Sequence, residues 1–203
     1  MNRRQFLTAG AAVTAGALLG GRAAAEALLR PTGADALIAR ANAALDRHAG
    51  IIRNRDLVGV ADFGRNSSTP RFHLIDLHNG RMDSFLVAHG RGSDPEHDGF
   101  LKTFSNQPNS FATSRGAYIT YEWYKGKYGT SIRLNGIDAD NSNVLNRAIV
   151  LHPAWYANPD MLAKWGKLGR SDGCFAMGEA DFNEALWHLS GGRLIFADKL
   201  GLG

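Results

Sequence analysis

The 203-residue chain has one cysteine, Cys174, at the end of the run Gly169-Arg170-Ser171-Asp172-Gly173-Cys174. Upstream, the apolar, strand-like run Arg147-Ala148-Ile149-Val150-Leu151 leads to His152. A thiol and an imidazole in this order are what acyl transfer requires. The thiolate attacks a carbonyl carbon, the imidazole handles the proton, and tight-turn N–H groups hold the oxyanion. Gly173 permits a turn that a Cβ would block, so the amides of Asp172, Gly173 and Cys174 are the candidate oxyanion donors. Pro153 has no N–H, but its carbonyl is free to accept a hydrogen bond from the His152 ring. Such a bond would fix the tautomer that leaves the other ring nitrogen facing sulfur. The prediction is a nucleophile at Cys174 and a general base at His152, set against the common fate of a lone cysteine as a buried structural residue.

Other polar clusters point to less. Asp94, Glu96, His97 and Asp98 read as a solvated acidic loop. Asp138-x-Asp140-x-Ser142 has Asn143 where a calcium loop needs Gly and Ile149 where it needs Glu, which excludes an EF-hand. No His-x-x-x-His or similar short ligand spacing occurs, so neither a metal nor a cofactor is expected, and a zinc peptidase is the weaker rival. His89, in His89-Gly90-Arg91-Gly92, reads either as a second polar residue lining the cleft or as a strand-end histidine beside a loop. Its Gly-x-Gly is not a phosphate loop, because no strand–turn–helix pattern surrounds it.

These residues need elements to position them. Leu37, Ile38, Ala41, Ala44 and Leu45 form a helical stripe over 35–48. Strands follow around Val58 and Val60, then over 71–77. Asn79-Gly80 suggests a two-residue hairpin turn, with a return strand over 81–88. Residues 90–114 read as a long polar loop, a length that is usually functional or mobile. A second hairpin joins 117–124 to 129–134 through Lys125-Gly126-Lys127. Helices are expected over 160–168 and 179–189, and a last buried strand over 193–197. The fold class predicted is mainly β with a few helices (α+β).

The N-terminus explains much of the charge. Residues 1–25 hold Arg3, Arg4 and Arg22 and no acid. Removing them takes Lys plus Arg from 23 to 20 against 19 acids, a net charge of about +1. The domain itself has no basic excess to favour nucleic acid. A paired-Arg start, a short uncharged stretch from Gln5 to Gly21 and Ala23-Ala24-Ala25 resemble a twin-arginine export signal. The uncharged stretch is short and glycine-rich for a membrane span, which needs about 20 apolar residues. The organisation expected is a signal peptide over 1–25, a linker and helix over 26–55 and a catalytic domain over 56–203, with a periplasmic or exported address and no stable membrane span after signal removal.

His152 followed by Ser171-Asp172-Gly173-Cys174 resembles the His…Ser-x-Gly-Cys signature of L,D-transpeptidase catalytic domains. Further stretches strengthen the likeness: His89-Gly90-Arg91-Gly92, Phe104-Ser105-Asn106, Ser114-Arg115-Gly116-Ala117-Tyr118, Tyr124-Lys125-Gly126-Lys127-Tyr128-Gly129 and Arg147-Ala148-Ile149-Val150. The resemblance covers about Leu57 to Ala197. It implies an L,D-transpeptidase-like β-sandwich acting on peptidoglycan stem peptides, with a Cys174 thioester formed from a donor tetrapeptide and resolved by an amine or by water. It also implies that carbapenems acylate Cys174. On this reading Cys174 and His152 react, amides around Asp172 and Gly173 form the oxyanion hole, Ser171 supports the turn, and His89, Arg170 and Tyr118 are substrate-binding candidates. Two departures stand out. Pro153 replaces the usual Gly after the histidine. Phe175-Ala176 replaces the Ile-Arg or Val-Arg that often follows the cysteine, so Arg170 is the proposed stand-in for the missing guanidinium. The same site run with water would make an L,D-carboxypeptidase or endopeptidase; a non-catalytic peptidoglycan-binding module is the rival of a different class.

Overall fold

Leu37, Ala41, Ala44 and Leu45 share one face of helix α1, Gly33–Arg47, with Asp35 in its first turn and Arg47 in its last, as the helix dipole favours. The structure, a computed structural model, describes residues 33–202. The expected linker before the helix and the signal region lie outside the described residues.

That apolar face packs on Val58, Val60, Leu194 and Phe196. Val58 and Val60 belong to strand β1, Leu57–Asp62; Leu194 and Phe196 belong to β8, Leu194–Asp198. The opposite faces of these strands turn Ala61, Ile195 and Ala197 into the main core. Both faces of β1 are therefore covered, and it is buried almost without a break.

The remaining strands are β2 Phe72–Asp76, β3 Arg81–Phe85, β4 Gly116–Gly126, β5 Gly129–Gly136, β6 Val150–Pro153 and β7 Phe175–Met177. All eight strands form one sheet in the order β3-β2-β1-β8-β4-β5-β6-β7. β1 pairs with β8 in parallel, as does β6 with β7; the other pairs are antiparallel. Phe72 and Leu74, near one end of this order, share a core with Phe175 and Met177 at the other. The sheet thus folds over its own apolar filling, as a sandwich does. A β-bulge between Thr120 and Trp123 interrupts the β4–β5 register and gives the long strand its bend. Helix α3, Glu179–Leu189, adds Phe182, Ala185 and Leu189 to the same core. Phe182 and Leu189 each contribute on the order of 1.5–3 kcal/mol on burial.

Several expectations need correction. The first hairpin closes at Asp76 and Arg81, leaving a four-residue loop rather than a two-residue turn. The Asp76 carboxylate accepts from the amides of His78 and Asn79, which holds the wider loop, and Gly80 adopts φ 64° within it. The return strand stops at Phe85, although Ala88 makes an isolated bridge to Ala176. Helix α2 covers only Asp160–Trp165, because Gly166 turns left-handed at φ 70°. The run from Arg147 is a strand only from Val150. Ala148 stands at φ 53°, and amides 147–149 bond back to Asn143, Leu145 and Val144. His152 is consequently inside β6, with Pro153 as its last residue.

Candidate active site

Cys174 immediately precedes β7, and β7 lies parallel to β6 with His152 opposite Ala176 and Leu151 opposite Phe175. This register brings the thiol strand and the imidazole strand side by side. Cys174 is 7% exposed, and its sulfur contacts Ala148 O at 3.7 Å, the carbonyl presented by the left-handed turn before β6. No direct hydrogen bond joins the two side chains among the described residues. The His152 ring is 1% exposed, and its Nδ1 lies 2.9 Å from Pro153 O. A carbonyl can only accept, so Nδ1 carries the proton and Nε2 keeps its lone pair. Tyr128, at the tip of the β4–β5 hairpin, stacks on the ring at 4.3 Å and 21°.

Burial sets the resting protonation. It pushes the Cys174 thiol up to about 11, with the Asp172 charge adding to the rise and Arg147 working against it. Burial also lowers His152 below the usual imidazole value, partly opposed by its bond to Pro153. The resting pair is neutral thiol and neutral imidazole.

Ser171 organises the turn before the sulfur. Its Oγ donates to Cys174 O at 2.6 Å and accepts the Gly173 amide at 3.1 Å. Gly173 stands at φ 119°, a conformation that glycine alone adopts readily. Because its N–H is engaged with Ser171, three amides do not converge on one acceptor; those of Asp172 and Cys174 are the remaining candidates. The Asp172 carboxylate points away to Arg91 Nε at 2.7 Å, and the Arg91 guanidinium lies over the Phe111 ring at 3.7 Å.

The three substrate-binding candidates sit elsewhere. His89 is 1% exposed and lies beneath the turn. The buried guanidinium of Arg71 donates to its Nδ1 at 2.7 Å, so Nε2–H faces Asp94 Oδ2 at 3.4 Å. Its ring does not line the cleft; its carbonyl accepts the Ser171 amide at 2.9 Å and anchors the turn before Cys174. Tyr118 is fully buried, because its ring packs edge-on against Phe175 and its hydroxyl donates to Ser114 O. The Arg170 guanidinium reaches the carbonyls of Asp94 and Pro95, so it fastens the long loop instead of standing in at the site.

The guanidinium beside the turn belongs to Arg147. It bonds Ser105 O, Ser110 Oγ, Ala112 O and Ser114 Oγ, and forms a pocket wall with Pro108, Phe111 and Asp172. Arg147 and Tyr128 were visible in the sequence only as members of longer runs; nothing in the spacing singled either out.

His89 also gives the fold an acid limit. Desolvation, then the charges of Arg71 and Arg170, push it down to about 2. An unfolded imidazole titrates near 6.5, so below that value the unfolded chain binds a proton that the folded chain refuses. Stability therefore falls as pH falls, by at most about 1.4 kcal/mol per pH unit from this one group. His73 and His152, also lowered by burial, act with the same sign. The urea midpoint should drop between about pH 7 and about pH 5; an unchanged midpoint would contradict the assignment.

A family model for the L,D-transpeptidase catalytic domain matches residues 35–197. A second model, for the twin-arginine translocation signal, matches residues 1–20, indicating export and, for this family, a periplasmic address. Among the described residues no helix is long and apolar enough to cross a membrane. No curated protein matches the sequence. Similar solved structures include an L,D-transpeptidase from Mycobacterium smegmatis, at 15% identity and TM-score 0.44, covering 70% of this chain and 58% of that one. An L,D-transpeptidase from Mycobacterium tuberculosis H37Rv matches at 16% identity and TM-score 0.44, covering 70% and 57%. L,D-transpeptidase 3 from Mycobacterium tuberculosis, in complex with a faropenem-derived adduct, matches at 15% identity and TM-score 0.45, covering 70% and 60%. The chain thus spans less than two thirds of the length of these structures. With the family model running through nearly all of the described residues, from α1 to β8, the chain belongs to the L,D-transpeptidase catalytic domain family.

Proposed function

We propose that the protein is a peptidoglycan L,D-transpeptidase that works through a thioester on Cys174. The observation that carries this reading is the parallel pairing of β6 and β7, with a tautomer-fixed imidazole on β6 and the chain's single thiol immediately before β7. His152 Nε2 takes the thiol proton as sulfur attacks the carbonyl of the third residue of a stem tetrapeptide. The Asp172 and Cys174 amides receive the oxyanion. When the tetrahedral intermediate collapses, the bond to the terminal residue breaks and His152 returns the proton to the leaving amine. The thioester is then attacked by an acceptor amine, whose proton passes to His152, and the free thiol is restored. No cofactor is needed for any step.

Mass spectrometry of muropeptide products tests this. The protein and a Cys174→Ala control are incubated with disaccharide-tetrapeptide, with and without a D-amino acid acceptor. Cross-linked dimer or exchanged D-amino acid, absent from the control, is expected. Tripeptide alone would mean that water is the acceptor and the enzyme a hydrolase. Muropeptide binding with no product in either sample would mean a binding module.

A further inference from the structure

A guanidinium carries five N–H donors and a permanent charge. In Arg147, Nη1 donates to Ser105 O at 2.7 Å and Ser114 Oγ at 2.8 Å, and Nη2 to Ser110 Oγ at 3.1 Å and Ala112 O at 2.5 Å. Every one of these acceptors is neutral, and no carboxylate lies within ion-pair distance of Arg147 among the described residues. The charge is half-buried and uncompensated. It also sits against the nucleophile turn: a Cβ built on Gly173 would lie 3.2 Å from Arg147 Nη2 and 2.9 Å from Ala112 O. Removing a cation from water without a counter-ion is costly unless an anion forms nearby. Of the groups that feel the charge of Cys174, Asp172 already has Arg91 as its partner, and Tyr118 and Tyr156 are phenols. The anions still to be created there are the thiolate and the oxyanion.

We propose that Arg147 is a positioning residue of this site, whose guanidinium, locked by four neutral acceptors, is the fixed positive charge against which the Cys174 thiolate and the following oxyanion form. The proposal rests on Cys174 being the nucleophile. It puts the site's guanidinium on the turn before β6, where the sequence after the cysteine offers Phe175-Ala176 instead. The same four bonds gather residues 105–114 against the turn, so charge and shape are delivered by one side chain.

The test is the pH–rate profile of Cys174 alkylation by iodoacetamide, followed by intact mass on the full chain. Arg147→Gln should raise the midpoint by about one unit, roughly a tenfold slower reaction on the rising limb. A purely structural clamp predicts the opposite sign: loosening 105–114 would expose the thiol, lower its midpoint toward the ordinary value and speed alkylation. Unchanged or faster alkylation therefore overturns the proposal. Arg147→Lys keeps the charge and should stay closer to wild type than the glutamine variant; an equal shift in both would also overturn it. If the glutamine variant does not fold, a lysine variant displaced by about a full unit from wild type has the same consequence. The readout needs only the thiol, so absence of muropeptide product would defeat the function proposed above without disturbing this result.

Discussion

His152→Ala should lower the rate of acyl transfer by about 10²–10⁴-fold, the usual contribution of a positioned general base. The resting state makes the dependence steep. A thiol pushed up to about 11 is almost wholly protonated near neutrality, so its proton must leave during attack. An ion pair formed beforehand would need the opposite shifts in both groups. The wild-type profile should thus have its acid limb below the ordinary imidazole value, in line with the direction of the His152 shift. In the alanine variant the residual rate should climb with pH, about tenfold per unit, as hydroxide replaces the missing base. A variant that retains wild-type turnover at neutral pH would remove His152 from the mechanism. His152→Gln keeps a side chain under Tyr128 and should be equally slow, which separates proton transfer from lost packing.

Gly90→Ala should be a strongly damaging single-methyl change near the site. Gly90 has φ −71° and ψ 141°, which alanine adopts freely, so the effect is purely one of space. The added Cβ would lie 2.3 Å from Phe111 O, 2.7 Å from Gly173 Cα and 2.8 Å from Gly173 N. All three are backbone atoms, and one of the two segments must move. Overpacking of this kind costs typically about 1–3 kcal/mol. The activity loss should be larger in proportion, about 10²-fold, because a shift near 1 Å displaces the sulfur from its attack geometry. Gly80→Ala is the matched control: nothing lies within 4 Å of its Cβ, and only its φ of 64° opposes the change. Its turnover should match wild type, with stability reduced by about 1 kcal/mol. Equal turnover in the two variants would show that the 88–91 segment does not position the nucleophile.

The residues that carry a period were legible in the sequence. The stripe of α1 and the face of α3 repeat at helical spacing and fall where the pattern places them; the second hairpin forms too, but its strands pair through Lys125 and Gly126, so the connection is Lys127-Tyr128 and not Lys125-Gly126-Lys127. Strand β7 was not legible, because three residues are too few to show alternation, and its partner is fixed by the fold rather than by local preference. The run from Arg147 shows the converse. Its composition suits a strand, but Ala148 turns left-handed, and that turn frees the arginine to reach the 105–114 segment. The thiol and imidazole were singled out by their chemistry together with the family resemblance. The surroundings that tune them could not: His89 becomes a buried support only because Arg71, distant in sequence, fills the space beside it.

The place of β8 between β1 and β4 bears on how the molecule is made. Of the eight strands, the one in the middle of the sheet comes last in chain order. Until it arrives, β1 and β4 each present an unpaired edge, and the two halves of the sheet have no ladder between them. Joining β1 to β8 closes a loop that spans most of the domain, a late and entropically costly contact. Cys174 and His152 both precede β8 in the chain, yet the sheet that frames them is continuous only once Leu194–Asp198 has docked. A chain that has emerged only as far as β7 thus carries Cys174 and His152 before their support is complete, and the docking of β8 is what completes it.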